Sequence, residues 1–193
     1  MKEEYQTIQN RLKNQLKKER YEHTVGVMYT AASLAMCHDA DIHQAMLAGL
    51  LHDCAKYGSL DEQIKRCHEK HIVLSEAEIQ MPSLAHAKLG AYLAKHEYGI
   101  TDGAVLSAIR YHTTGQPGMS LLEKIIYIAD YIEPGRKEIP GLSKIRRAAF
   151  TDLDRAVALA AKGTIKYLKM AGKPIDKLTI KTYEYYNDEK IFT

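Results

Sequence analysis

Cysteine is scarce in this chain, and Cys37, Cys54 and Cys67 form neither an even-numbered framework nor a Cys-x-x-Cys pair. That excludes a disulfide-stapled scaffold and points to reduced thiols in a reducing compartment, with Cys54 read as a small helix-packing residue. Long hydrophobic runs are missing too. No apolar stretch approaches the roughly 18 to 20 residues that span a bilayer, and Met1-Lys2-Glu3-Glu4-Tyr5 lacks the apolar core of a signal peptide, so a cytoplasmic location without a membrane partner is expected. An excess of one charge is equally absent. Lys and Arg number 27 against 24 Asp and Glu, and a net +3 is too small for the dense basic stripe of a nucleic-acid binder, whereas an anionic small molecule is compatible. No internal repeat, low-complexity tract or linker calls for a boundary, so residues 1–193 are expected to form one domain.

Helical periodicity is what the chain does have. Alternating Val, Ile and Thr runs are few, the five prolines fall near predicted boundaries, and the fold is expected to be all-α. Tyr5, Ile8, Leu12 and Leu16 make one apolar stripe, and a second helix carries His23 and then Val25, Met28, Ala31, Ala32 and Ala35. A third starts at Asp41, with Gln44 placed to close a capping box. Ser59 with Glu62, Ser75 with Glu78 and Ser120 with Glu123 repeat that start signal. Further helices are predicted over residues 84–98, ending at Gly99, and over 102–112, 121–132, 152–171 and 179–187. Residues 134–141 read as a loop, followed by a basic run with Lys144, Arg146 and Arg147.

The chemistry concentrates around His52-Asp53, in Leu50-Leu51-His52-Asp53-Cys54-Ala55-Lys56, with His23, His86, His112 and Asp130 elsewhere in the chain. Imidazole and carboxylate together suit iron, manganese or zinc, and a site with open coordination positions activates water. Adjacent helical residues point about 100° apart, so His52 and Asp53 can share an ion only near a helix end or crossing. Taken singly, each histidine is more often a satisfied core residue, and Asp130 an ordinary helix-face acid. His68 and His71, spaced to share a helix face, read as surface residues, and Tyr183, Tyr185 and Tyr186 as packing for a terminal helix.

The order His23, His52-Asp53, Asp130 resembles the HD superfamily of metal-dependent phosphohydrolases, in which such residues bind one metal. Histidines between the His-Asp pair and the last Asp mark its two-metal subgroup, and His86 and His112 fall there. The chain is more similar still to the bacterial YqeK family of symmetrical diadenosine tetraphosphate hydrolases. That similarity rests on Arg20-Tyr21-Glu22-His23-Thr24, His52-Asp53-Cys54-Ala55-Lys56, His86-Ala87, Tyr111-His112-Thr113-Thr114-Gly115 and the run from Ile128-Ala129-Asp130 to Glu133-Pro134-Gly135-Arg136. No Gly-Tyr-Pro triplet follows, which argues against the cyclic-dinucleotide phosphodiesterases.

The resemblance implies an HD-type helical bundle with two divalent ions, iron first, manganese or zinc also allowed by the ligands. His23, His52, Asp53 and Asp130 would hold one ion, His86 and His112 would help hold the second, and Asp53 would bridge them. Asp53, Lys56 and Arg136 are the expected catalytic residues. Arg20, Lys56, His112, Thr113 and Arg136 are expected to contact the substrate, with Thr114 a further hydroxyl donor. The implied partner is a small dinucleoside polyphosphate cleaved to two ADP, and a homodimer stays open. Lys56 reads equally as a last-turn helix cation, and Arg20 as a solvated neighbour of Lys17 and Lys18. Alternatives are a phosphohydrolase for guanosine polyphosphates or deoxynucleoside triphosphates, a dinuclear-iron oxygenase, and a nucleotide- or metal-sensing module without turnover.

Overall fold

The computed structural model describes residues 2–187, with side chains from Tyr5 onward. Among the described residues there are eleven α-helices, one short 3-10 turn and no strand. In chain order they are α1 (Lys2–Gln15), α2 (Lys18–Cys37), α3 (Ile42–Leu51), α4 (Leu60–Glu69), α5 (Glu76–Gln80), the 3-10 turn η1 (Pro82–Leu84), α6 (His86–Glu97), α7 (Gly103–Tyr111), α8 (Leu121–Ile132), α9 (Leu142–Ala149), α10 (Leu153–Met170) and α11 (Lys177–Tyr186). The all-α expectation holds.

Short-range chemistry sets most helix starts. The three Ser-x-x-Glu signals form complete capping boxes at Ser59, Ser75 and Ser120, each satisfying two backbone donors that a helix start would leave open. Asp102 and Asp152 cap α7 and α10 through their carboxylates. At α3 the expected box is only half made: Asp41 accepts from the Gln44 backbone, but the Gln44 side chain donates to Asp102 Oδ2 at 2.7 Å, a longer-range partner with a charge to offer.

Two further expectations need correction, and one segment for which no helix was predicted is helical. The helix predicted over 84–98 is split, because Pro82 starts a 3-10 turn and α6 begins only at His86. The basic run after the loop is helical: Leu142, Ile145, Ala148 and Ala149 of α9 bury one face while Lys144 and Arg147 stay exposed. His68 and His71 are both exposed but share no helix face, since α4 stops at Glu69 and His71 has a left-handed backbone with φ 54°.

One buried hydrophobic cluster runs from Ile8 on α1 to Tyr186 on α11, so Tyr186 packs as expected, whereas Tyr185 is exposed. Helices α2 and α3 approach very closely at Gly49. A Cβ there would lie 2.9 Å from Met28 Cα and 3.2 Å from the Val27 carbonyl oxygen, both rigid backbone atoms. This contact holds His23 and His52 beside one another. Gly49→Ala should therefore overpack the crossing and destabilise the fold by about 1–3 kcal/mol. Urea unfolding followed by circular dichroism checks this; an unchanged midpoint would show that the helices can separate freely.

Candidate metal centre

Five helices deliver the six expected ligand residues to one buried point. His23 lies within α2 and Asp130 in the last turn of α8. His52 caps the C-terminus of α3, Asp53 follows it, His86 opens α6, and His112 caps the C-terminus of α7. His52 and Asp53 are fully buried, and His86 and His112 nearly so. A helix end leaves its final carbonyls without partners, and the site uses them. His52 Nδ1 donates to the Gly49 carbonyl at 2.7 Å, and His112 Nδ1 to the Ile109 carbonyl at 2.7 Å. His86 Nδ1 does the same with Ser83 in η1, at 2.5 Å. In each case the acceptor is three residues earlier, so the backbone itself fixes the tautomer and turns Nε2 inward.

His23 has no such carbonyl, because its position inside α2 commits the nearby ones to the helix. Its Nδ1 instead donates to Glu133 Oε1 at 3.0 Å. Glu133 is buried and also accepts from the Gly135 amide at 2.5 Å. Gly26 makes room for it, since a Cβ there would come 2.7 Å from Glu133 Oε2. In the sequence Glu133 lies in one of the matching segments without a motif of its own. The hint was its place three residues after Asp130, one helical turn along α8.

All four Nε2 atoms face Asp53, whose two oxygens divide them. Oδ2 lies 3.3 Å from His52 Nε2 and 3.8 Å from His23 Nε2, and Asp130 Oδ1 is 3.1 Å from His23 Nε2 and 3.8 Å from His52 Nε2. Oδ1 lies 3.3 Å from His86 Nε2 and 3.6 Å from His112 Nε2, and those two nitrogens are 3.0 Å apart. With Nδ1 protonated on both rings, two lone pairs point at each other. Only a proton or a cation between them relieves that contact. His23 Nε2, His52 Nε2 and Asp53 Oδ1 are moreover buried without a hydrogen-bond partner among the described residues. Inward lone pairs, orphaned buried acceptors and Nδ1 atoms held from outside suit a divalent metal. Two overlapping ligand groups emerge, His23 with His52 and Asp130, and His52 with Asp53 and His112.

Electrostatics agree with that fit. Burial drives His52 and His86 below the ordinary imidazole value, and Lys56 adds to the effect at His86. Burial would raise Asp53, yet the charges facing it, Lys56 among them, outweigh it and hold the carboxyl well below the usual range. Since burial keeps His52 neutral, the formal countercharges are Lys56 Nζ, 3.0 Å from Oδ1, and the Arg20 guanidinium, 2.8 Å from Oδ2. Asp130 is likewise held low against its burial, by His23, His52 and Arg136. Arg136 donates to the Asp130 carboxylate at 2.6 Å and to its carbonyl at 2.7 Å. Thr113 Oγ1 sits 3.1 Å from His112 Nε2 and 3.3 Å from His86 Nε2. Thr114 does not join it, because its hydroxyl donates to the Gly115 carbonyl and is spent locally.

The HD domain family model matches residues 20–135, a span that contains all six expected ligand residues. The chain belongs to the HD-domain family. Among relatives, the symmetrical bis(5'-nucleosyl)-tetraphosphatase of Bacillus subtilis is 43% identical over 90% of this chain and 92% of its own length. That of Halalkalibacterium halodurans is 46% identical over 89% of this chain and 91% of its own. A Clostridium acetobutylicum protein of known crystal structure, described as a predicted HD superfamily hydrolase involved in NAD metabolism, is 43% identical, with a TM-score of 0.91 over 96% of this chain and 97% of that one. The helical bundle is therefore an HD-domain bundle. No helix among the described residues is long and apolar enough to cross a membrane.

Two predictions come from this geometry. Glu133→Gln keeps the shape but weakens the anchor on His23, so metal affinity should fall about 10- to 100-fold, measured by competition with a chelator; unchanged affinity would mean that His23 needs no partner. The second concerns pH. Folded His52 and His86 resist protonation while the unfolded histidines do not, so the metal-free protein is fully stabilised above their ordinary value of 6.5 and loses stability as pH falls below it. Melting temperature followed from pH 8 to pH 5 should drop, and a flat profile would contradict neutral burial of these rings.

Proposed function

We propose that the chain hydrolyses dinucleoside tetraphosphates symmetrically, foremost diadenosine tetraphosphate, releasing two ADP. The observation that carries this is the division of Asp53 between two sets of imidazoles, in a chain over 40% identical to symmetrical tetraphosphatases along nearly its whole length. The buried core from Ile8 to Tyr186 supports reading residues 1–193 as one catalytic domain. His23, His52, Asp130 and Asp53 Oδ2 would hold one divalent ion, and His86, His112 and Asp53 Oδ1 a second. Iron is the first choice, and the donor set also accepts manganese or zinc.

When bound, such ions polarise phosphoryl oxygens and lower the pKa of a water so that it attacks near neutral pH. The side chains around them supply the rest. Arg20, Lys56 and Arg136 each turn one end to a buried carboxylate while remaining between about a quarter and two-fifths exposed, at 36%, 28% and 39%. Their outer edges are thus free to take phosphate oxygens, the two guanidiniums by paired donation and Lys56 as a point charge. Thr113 adds a neutral donor beside the His86 and His112 pair. Attack by water oxygen on one inner phosphorus breaks its bond to the central bridging oxygen, which leaves with the second ADP and its electron pair. These cations are placed to neutralise the charge that builds on the departing group.

The test is chromatographic. Metal-loaded protein given diadenosine tetraphosphate should yield ADP alone, two per substrate. Release of ATP with AMP would show asymmetric cleavage, and tight binding without any ADP would leave only a sensing role.

A further inference from the structure

On the far side of α6 and α7 from the metal centre lies a cleft of about 630 Å³, formed with residues 70–73 after α4. Helical phase separates the two places. Counting 100° per residue, Lys88, Ala91, Tyr92, Lys95 and His96 centre on the side of α6 opposite His86, and Leu106, Ser107, Arg110 and Tyr111 on the side of α7 opposite His112. No residue of the cleft touches the His-Asp cluster except through these two helices.

The lining is one-signed. Lys70, Lys88, Lys95 and Arg110 contribute four cationic groups, and no carboxylate lines the walls. Lys88 is taken up by Glu78 at 2.6 Å and by the Val73 carbonyl at 2.9 Å. Lys70, Lys95 and Arg110 form no ion pair among the described residues, so their charges face the cleft unneutralised. Apart from Glu78, the acid Glu123 lies next to the lining residue Ser107, and its carboxylate is already bound by the hydroxyl of Ser107 at 2.6 Å and the amide of Gln116 at 2.8 Å. Aromatic surface accompanies the charge. Tyr92 and His96 stack with centroids 4.2 Å apart, Lys70 sits 5.9 Å from the Tyr92 centroid, and the Arg110 guanidinium sits 5.7 Å from the Tyr111 centroid.

We infer that this cleft is a second, separate binding site for a nucleoside phosphate, with Lys95, Lys70 and Arg110 receiving the phosphates and the Tyr92, His96 and Tyr111 rings the base. Three unpaired cations along a concavity set up a positive potential that only an anion satisfies, and the volume is in the range of a small-molecule pocket. Flat aromatic faces next to those cations favour a ligand with its own ring over bare phosphate. A long nucleic acid is disfavoured, because the chain carries only +3 overall.

Equilibrium dialysis of ADP against the metal-loaded full chain tests this, with pyrophosphate as the matched ringless probe. Wild type should bind two ADP per chain, one in each place, and Lys95→Glu with Arg110→Glu should bind one while turnover of dinucleotide at low product concentration is unchanged. The milder pair Lys95→Ala with Arg110→Ala, confirmed as folded by circular dichroism, should weaken that ADP about tenfold. Pyrophosphate should bind the cleft at least tenfold more weakly than ADP. An ADP stoichiometry and affinity identical in wild type and both variants would overturn the site, and equal binding of pyrophosphate would overturn the nucleoside assignment. Failure of the hydrolase proposal looks different: no turnover, with the charge-reversal pair still removing one bound ADP.

Discussion

One carboxylate, Asp53, is fully buried beneath a ring of imidazoles, and much of the architecture answers that fact. An unpaired charge in such surroundings is strongly disfavoured, so neighbours must neutralise it or it must take a proton. Four imidazole nitrogens, Arg20 and Lys56 converge on its two oxygens, and Asp130 with Arg136 extends the same network. The imidazoles are neutral donors of lone pairs rather than charges, which is why the arrangement favours a metal ion over a purely organic salt-bridge cluster. Division of the carboxylate between two sets of imidazoles would let it bridge two ions.

Such a centre demands helix ends. His52 and His112 each close a helix by donating to a carbonyl in its last turn, so the same hydrogen bond that satisfies the backbone also aims the ring. The fold must then bring the ends of α3, α6, α7 and α8 to the middle of α2, and the close approach at Gly49 and the buried Glu133 beside Gly26 are how it does so. Stability and site geometry are therefore not independent properties here. The separation of the basic cleft from the centre by a pair of helices is a consequence of the same arrangement, since α6 and α7 each show one face to Asp53 and the other to solvent.

How much of this was legible in the sequence depended on range. Capping boxes at Ser59, Ser75 and Ser120 span three residues and were readable, whereas the Gln44 side chain was not, because its partner Asp102 is 58 residues away. The six candidate ligand residues could be picked out because their order resembles that of a known family; their individual chemistry would have left each histidine a plausible core residue. Glu133 escaped because it precedes a proline in a stretch that reads as a loop start, and its partner His23 lies 110 residues earlier. Helix α9 escaped because the glycines and prolines around it drew attention away from the spacing of Leu142, Ile145 and Ala149. The cleft had no sequence signature at all, being made by three segments that meet only in the folded chain.

The central claim, that Asp53 joins two metal ions through its separate oxygens, is tested most directly by anomalous diffraction from crystals grown with manganese. Two peaks are expected in each chain, one between Oδ2 and the His23, His52 and Asp130 group, the other between Oδ1 and the His86 and His112 pair. A single peak, or two peaks neither of which contacts Asp53, would contradict the account.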